Sequence, residues 1–89
     1  MPEYFNDVID MVNRVFNYDC LIYCNVISKR LMIEIPSGYS FAIYGEKDNY
    51  NFIHFSPHGE NLFNQVYTSF EKIEQWLTNF NSLLSFTGA

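Results

Sequence analysis

Two segments at the ends of the chain repeat apolar residues at the spacing of a helix, and the segment between them does not. In residues 3–16 apolar side chains recur three and four positions apart, which predicts one buried helical face: Phe5, Val8, Ile9, Val12, Val15 and Phe16. Residues 69–85 show the same spacing: Phe70, Ile73, Trp76, Leu77, Phe80, Leu83 and Leu84. We therefore expect an amphipathic helix at each end of the chain, with Trp76 anchored in the core.

The middle of the chain is rich in β-branched and aromatic residues, which favour strands. Four segments predict the strands of a meander, namely 20–28, 31–35, 39–44 and 50–56. Pro36, Ser37 and Gly38 separate the second strand from the third, and a polar loop of five residues, 45–49, separates the third from the fourth. Residues 62–67 fit either a short fifth strand at the sheet edge or an irregular segment.

These elements predict one α+β domain over residues 1–89, because no linker, repeat or change of composition divides the chain. It consists of an N-terminal helix, a four-stranded antiparallel meander to which residues 62–67 could add a short fifth strand, and a C-terminal helix. An antiparallel sheet can leave one face uncovered, and we expect both helices to lie together on the other face. The uncovered face would then decide the function.

Side chains alternate along a strand, which predicts the residues that face the helices. The set expected to face inward is almost purely apolar: Ile22, Cys24, Val26, Leu31, Ile33, Ile35, Phe41, Ile43, Ile53 and Phe55. The opposite set combines rings with polar atoms: Tyr23, Asn25, Met32, Glu34, Ser40, Tyr44, Tyr50, Phe52 and His54. Tyr, Phe and Met are enriched at interfaces, so this face is either a recognition surface or an ordinary surface covered by residues 62–67.

Composition and charge add expectations about partners. Nine Phe, seven Tyr and one Trp carry more ring surface than one small core can bury, so we expect some rings outside. Ten acidic residues against five basic ones give a net charge of −5, which disfavours direct nucleic-acid binding and favours a basic protein partner. Glu3, Asp7 and Asp10 mark an acidic N-terminus, and no run of about 18 apolar residues occurs. We expect no signal peptide, no membrane span and a cytoplasmic location.

The residues that could carry chemistry are two cysteines and two histidines, Cys20 and Cys24 with His54 and His58. Residues four apart on a strand are roughly 13 Å apart, too far for both sulfurs to bind one zinc ion or to form a disulfide. The serines lack the strained turn that presents a nucleophile. We therefore expect no metal, no cofactor and no enzymatic activity.

A length of about ninety residues, an acidic balance, a helix–meander–helix order and no catalytic motif resemble small phage- or plasmid-borne inhibitor proteins, such as anti-CRISPR and toxin-immunity proteins. The resemblance implies a non-enzymatic inhibitor that binds a protein, for example a nucleic-acid-processing complex. With only ten acidic residues, the chain departs from strongly acidic inhibitors that mimic nucleic acid. This departure favours docking through shape and aromatic side chains.

The residues expected to bind the partner are Tyr23, Tyr44, Phe52 and His54 on the uncovered sheet face, with Glu46 and Asp48 at the acidic hairpin loop. The alternative is a homodimer whose uncovered face pairs with its own copy and serves a structural or small-ligand-binding role.

Overall fold

The structure, a computed structural model that describes residues 2–86, contains two helices and one five-stranded sheet. The helices are α1 (Tyr4–Val15) and α2 (Phe70–Phe86). The strands are β1 (Leu21–Asn25), β2 (Arg30–Glu34), β3 (Ser40–Glu46), β4 (Asn49–Phe55) and β5 (Asn61–Tyr67). The expected α+β architecture is confirmed, and the segment that the pattern left open forms a fifth strand of seven residues.

The five strands form an antiparallel meander in the order β1-β2-β3-β4-β5. Each strand pairs with the next along the chain, so every connection within the sheet is short. β1 and β5 are consequently the two edge strands. β3 lies at the centre, and the core is built above it.

β1 is shorter than the strand predicted for residues 20–28. It ends at Asn25, whose side-chain oxygen accepts hydrogen bonds of 3.1 Å from the N–H groups of both Ile27 and Ser28. Such local bonds stabilise a turn in place of a strand. The turn leaves Val26 and Ile27 exposed, so the inward placement expected for Val26 is wrong.

β3 and β4 are joined by a turn of only two residues, Lys47 and Asp48. Glu46 pairs with Asn49, so both strands extend into the segment predicted as a five-residue loop, and that prediction is wrong. Asp48 has φ 64°, a left-handed conformation that the short side chain of Asp tolerates.

The register set by this turn decides which side of β4 faces the helices. Directly opposed residues of an antiparallel pair project from the same face. Phe41 and Ile43 of β3 face the core and oppose His54 and Phe52 of β4. The expected outward position of Phe52 and His54 is therefore wrong: they are only 0 % and 6 % exposed. The inward residues of β4 are Tyr50, Phe52 and His54, and the outward ones are Asn51, Ile53 and Phe55.

Both helices pack on this same inner face of the sheet, and aromatic rings fill most of the contact. Trp76 and Phe80 of α2 place their ring centroids 5.8 and 5.6 Å from that of Phe41. Phe16, just after α1, lies 6.3 Å from Phe41. Among residues 2–86, the aromatic residues outside these ring–ring contacts are Tyr23, Tyr44, Phe55 and Phe86. Most of the expected ring surplus is thus buried between helices and sheet.

Tyr4 ties the first turn of α1 to the end of the β3–β4 hairpin. Its hydroxyl donates a hydrogen bond of 2.6 Å to the carbonyl oxygen of Gly45. Its ring centroid lies 5.0 Å from those of Phe5 and Tyr50. Burial, with a smaller contribution from Tyr50, raises the pKa of Tyr4 to about 12.

Replacing Tyr4 by Phe keeps the ring and removes the hydrogen bond, so the free energy of unfolding at neutral pH should fall by about 1 kcal/mol. The folded protein holds the phenolic proton to about pH 12, and the unfolded chain only to its ordinary value of 10.0. The stabilisation of the folded protein by Tyr4 is therefore fully present below pH 10, and it is lost as the pH rises toward 12. Urea unfolding from neutral to alkaline pH measures both effects.

The Tyr4→Phe variant should show a shallower alkaline loss of stability than the wild type. Tyr44→Phe, on the opposite face of the sheet, is the matched control and should change the neutral-pH stability by less than about 0.5 kcal/mol. An undiminished alkaline loss in Tyr4→Phe would contradict the assignment of this loss to Tyr4.

Candidate protein-binding surface

The sheet face away from the helices, here called the outer face, is open to solvent in the part of the chain that the structure describes. One row of opposed residues crosses all five strands: Tyr23, Met32, Ala42, Ile53 and Asn64. Ala42 and Ile53 are buried, yet neither belongs to the core cluster beneath the helices. Both side chains are shielded from solvent, so the centre of the outer face is apolar and little exposed.

Exposed apolar side chains extend this centre to both edges of the sheet. Leu21 is 60 % exposed and Tyr23 is 41 % exposed on β1, and Leu62 and Val66 are 51 % and 48 % exposed on β5. Single exposed apolar residues are ordinary on any protein. Several on one face, joined through half-buried Met32, form a patch of the kind that marks an interaction site.

Tyr44 holds the only cation–π contact found in the described residues. The guanidinium carbon of Arg30 lies 4.5 Å from the centroid of the Tyr44 ring, so the positive charge of Arg30 lies against the face of this ring. A partly enclosed depression of about 460 Å³ lies beside Tyr44. Its outer-face lining is Tyr44, Asn51, Ile53, Asn64 and Val66.

Glu46 and Asp48 lie at the tip of the β3–β4 hairpin, where both are exposed, as the sequence predicted. Glu46 is two residues beyond Tyr44 in the same strand, so the acidic tip lies at one end of the outer face. Lys47 separates the two carboxylates. The tip offers two accessible negative charges at the rim of an apolar surface.

Phe52 and His54 lie in the core under α2 and take no part in the outer face. The His54 ring centroid lies 5.0 Å from that of Trp76 and 4.7 Å from that of Phe80. Its Nε2 atom is buried without a hydrogen-bond partner. Burial lowers the pKa of His54 below its ordinary value, so the ring is neutral near pH 7. Phe52 and His54 are therefore too buried to contact a partner on the outer face, where the sequence had placed them.

No protein-family model, no curated protein and no solved structure matches the chain. The function of the outer face is therefore inferred from its residues and their geometry. No helix within residues 2–86 is long and apolar enough to cross a membrane.

The cysteines and histidines do not converge on a metal site. Within residues 2–86, no group of three or more His, Cys, Asp or Glu side chains is placed to hold an ion. Cys20 and Cys24 are free thiols and half-buried. Burial, with a smaller contribution from Asp19, raises the pKa of the Cys20 thiol, which lowers the fraction of reactive thiolate.

The structure brings together part of the predicted site and adds residues to it. Tyr23 and Tyr44 lie on the outer face, as expected. Leu62 and Val66 were missed because residues 62–67 fitted two structures equally well. The available signal was alternation, since Leu62 and Val66 are separated by even steps from Asn64 and so share its face.

Replacing His54 by Phe should remove one cause of acid destabilisation. The pKa of His54 is lower in the folded protein than its ordinary 6.5, so the unfolded chain takes up the proton first as the pH falls. The free energy of unfolding of the wild type is therefore not reduced by His54 above about pH 6.5, and it decreases as the pH falls below this value. The phenylalanine variant lacks this part of the pH dependence. Urea unfolding at about pH 7 and about pH 5 measures the difference.

His58→Phe is the matched control because His58 lies in the exposed loop between β4 and β5. An acid loss in His54→Phe as large as that of the wild type would show that another group causes it.

Proposed function

We propose that this protein is a non-enzymatic inhibitor that binds a basic partner protein through its outer face. Tyr23 and Tyr44 are the aromatic contacts, and Glu46 and Asp48 form the acidic rim. The observation that carries the proposal is the apolar row that runs from Tyr23 to Ile53 across four strands, with exposed apolar residues on both edge strands of the sheet. A dry centre with a polar rim is the usual anatomy of a protein interface.

The shape of the outer face favours a protein over a small molecule. Pockets for small ligands bury about 70–90 % of the ligand surface. The depression beside Tyr44 is only partly enclosed, and five of its lining residues belong to the outer face of the sheet. A partly enclosed site within a broader sheet face is matched better by another folded surface.

The charge of the chain indicates the chemistry of the partner. The net charge is −5, and the acidic residues Glu3, Asp7 and Asp10 add a charged stripe on the N-terminal helix. An overall negative potential speeds the approach of a basic surface and opposes direct contact with nucleic-acid phosphates. A basic protein, such as a component of a nucleic-acid-processing complex, fits this charge.

Site-specific cross-linking tests the proposal directly. A photoactivatable phenylalanine replaces Tyr23 or Tyr44, and the same group replaces Gln75, exposed on α2, as the control. We expect one basic protein to be cross-linked in the native host from positions 23 and 44 and not from 75. Equal cross-linking from 75, or capture of a second copy alone, would contradict the proposal; the second result favours the homodimer.

The inhibitor role is then tested on the cross-linked partner in purified form. Its activity should fall as the wild-type protein is added in stoichiometric amounts. Binding without any change in the partner's activity would contradict inhibition while leaving the outer-face contact in place.

Tyr23→Ala and Tyr44→Ala should each weaken partner binding by about tenfold or more, because a few aromatic residues commonly supply most of the binding energy of an interface. Both side chains lie outside the core cluster, so the free energy of unfolding should change little. Calorimetric titration with the purified partner and urea unfolding measure the two quantities. Gln75→Ala is the control, and wild-type affinity in both tyrosine variants would exclude the outer face.

Glu46→Gln combined with Asp48→Asn should slow association and reduce its dependence on salt, with little change in the dissociation rate. Asn tolerates the left-handed conformation of residue 48, so the turn is preserved. Stopped-flow kinetics at low and high salt measure the effect. Glu60→Gln combined with Glu71→Gln, two exposed positions away from the hairpin tip, is the charge-matched control, and equal slowing by both double changes would assign the effect to net charge alone.

A further inference from the structure

We propose that β5 pairs edge to edge with β5 of a second copy of this chain, about a two-fold axis at Gln65. The two sheets would join into one antiparallel sheet of ten strands. This contact uses the strand edge rather than the outer face, so it goes beyond the function proposed above.

The edge of β5 lacks most of the features that keep edge strands apart. Its seven residues contain no charged side chain and no proline, and all but Tyr67 are exposed. Natural proteins protect such edges with charges, proline, short strands, bulges or a covering element. A bulge is present, but it lies at the start of the strand, where Phe55 pairs with Asn61. From Phe63 to Tyr67 the strand pairs regularly with β4, which leaves a regular row of outward backbone groups.

The regular part of β5 is complementary to itself about its middle residue, Gln65. In an antiparallel pair centred there, Phe63 opposes Tyr67 of the second copy on the inner face. Asn64 opposes Val66 of the second copy on the outer face, and the two Gln65 amides meet at the axis. Aromatic cross-strand pairs stabilise a sheet. The Gln65 amide, which in the single chain donates a long hydrogen bond of 3.5 Å to the Val66 carbonyl oxygen, would exchange this bond for one to the amide of its copy.

Charge favours a second copy at this edge over a basic partner. Two copies with a net charge of −5 repel, which favours contact through surfaces that carry no charge. β5 is such a surface, since the nearest acidic residues along the chain, Glu60 and Glu71, lie outside the strand. A basic partner would find no carboxylate within β5 to pair with.

The helix side of β5 also presents apolar surface that a second copy would cover. Phe63 remains 36 % exposed although its ring stacks on Trp76, with centroids 5.6 Å apart. The other edge strand, β1, has only five residues, so it offers a shorter row of backbone groups than the seven residues of β5. β5 is therefore the better edge for pairing.

Charge substitutions at Gln65 test the pairing. The wild type should change from the monomer mass of 10.5 kDa to twice that mass in sedimentation experiments as its concentration rises from low micromolar to millimolar. Gln65→Glu and Gln65→Lys each place like charges opposite one another at the axis, so each should raise the dimer dissociation constant by about tenfold. An equimolar mixture of the two variants should recover the wild-type dissociation constant, which misfolded variants could not do.

Gln75→Glu on the exposed side of α2 is the matched control and should dimerise as the wild type does. Hydrogen exchange at high concentration should slow in β5 and remain unchanged in β1. A wild type that stays monomeric to millimolar concentration, a dimer unaffected by both Gln65 substitutions, or new protection in β1 alone would overturn the proposal.

The experiments distinguish failure of one proposal from failure of the other. Tyr23 lies on the edge strand farthest from β5, so Tyr23→Ala should leave the dimer intact. Gln65 lies on the inner face of β5, so Gln65→Glu should leave partner binding by the outer face unchanged.

Discussion

The turn of two residues between β3 and β4 is the constraint on which the rest of the structure depends. A loop of five residues from Gly45 to Asn49 would pair Tyr44 with Tyr50 and therefore Phe41 with Ile53. The observed turn at Lys47 and Asp48 pairs Phe41 with His54 instead. Because side chains alternate with a period of two, this shift of one residue exchanges the two faces of the whole of β4.

That exchange determines what each face is made of. With Phe52 and His54 turned inward, the rings of β3, β4 and α2 form a single layer around Phe41, and the helices are held by aromatic contacts. The same register turns Ile53 outward, where it extends the apolar row that begins at Tyr23 as far as the fourth strand. The outer face therefore owes its apolar character to aliphatic residues, to Met32 and to three rings, Tyr23, Tyr44 and Phe55, rather than to a general surplus of rings.

The sequence was sufficient for features governed by strong periodicity. Both helices, the meander and the inward residues of β2 and β3 follow from spacing that admits one interpretation. β4 admitted two, because Tyr50, Phe52 and His54 are as suited to a core as Ile53 and Phe55. Only tertiary pairing could choose between them, since the choice depends on turn length and on the rings that α2 supplies. β5 was ambiguous for a similar reason, because each of its faces mixes apolar residues with amides.

The outer face and the β5 edge meet at Asn64 and Val66, which belong to both. A two-fold axis perpendicular to the sheet keeps the outer faces of two copies on the same side, so edge pairing would double the apolar surface without covering it. Partner binding would instead cover this surface and leave the strand edge free. The neutral strand β5 and the acidic hairpin tip thus serve different contacts in one small chain: contact between like copies is favoured where charge is absent, and a basic partner is attracted where it is present.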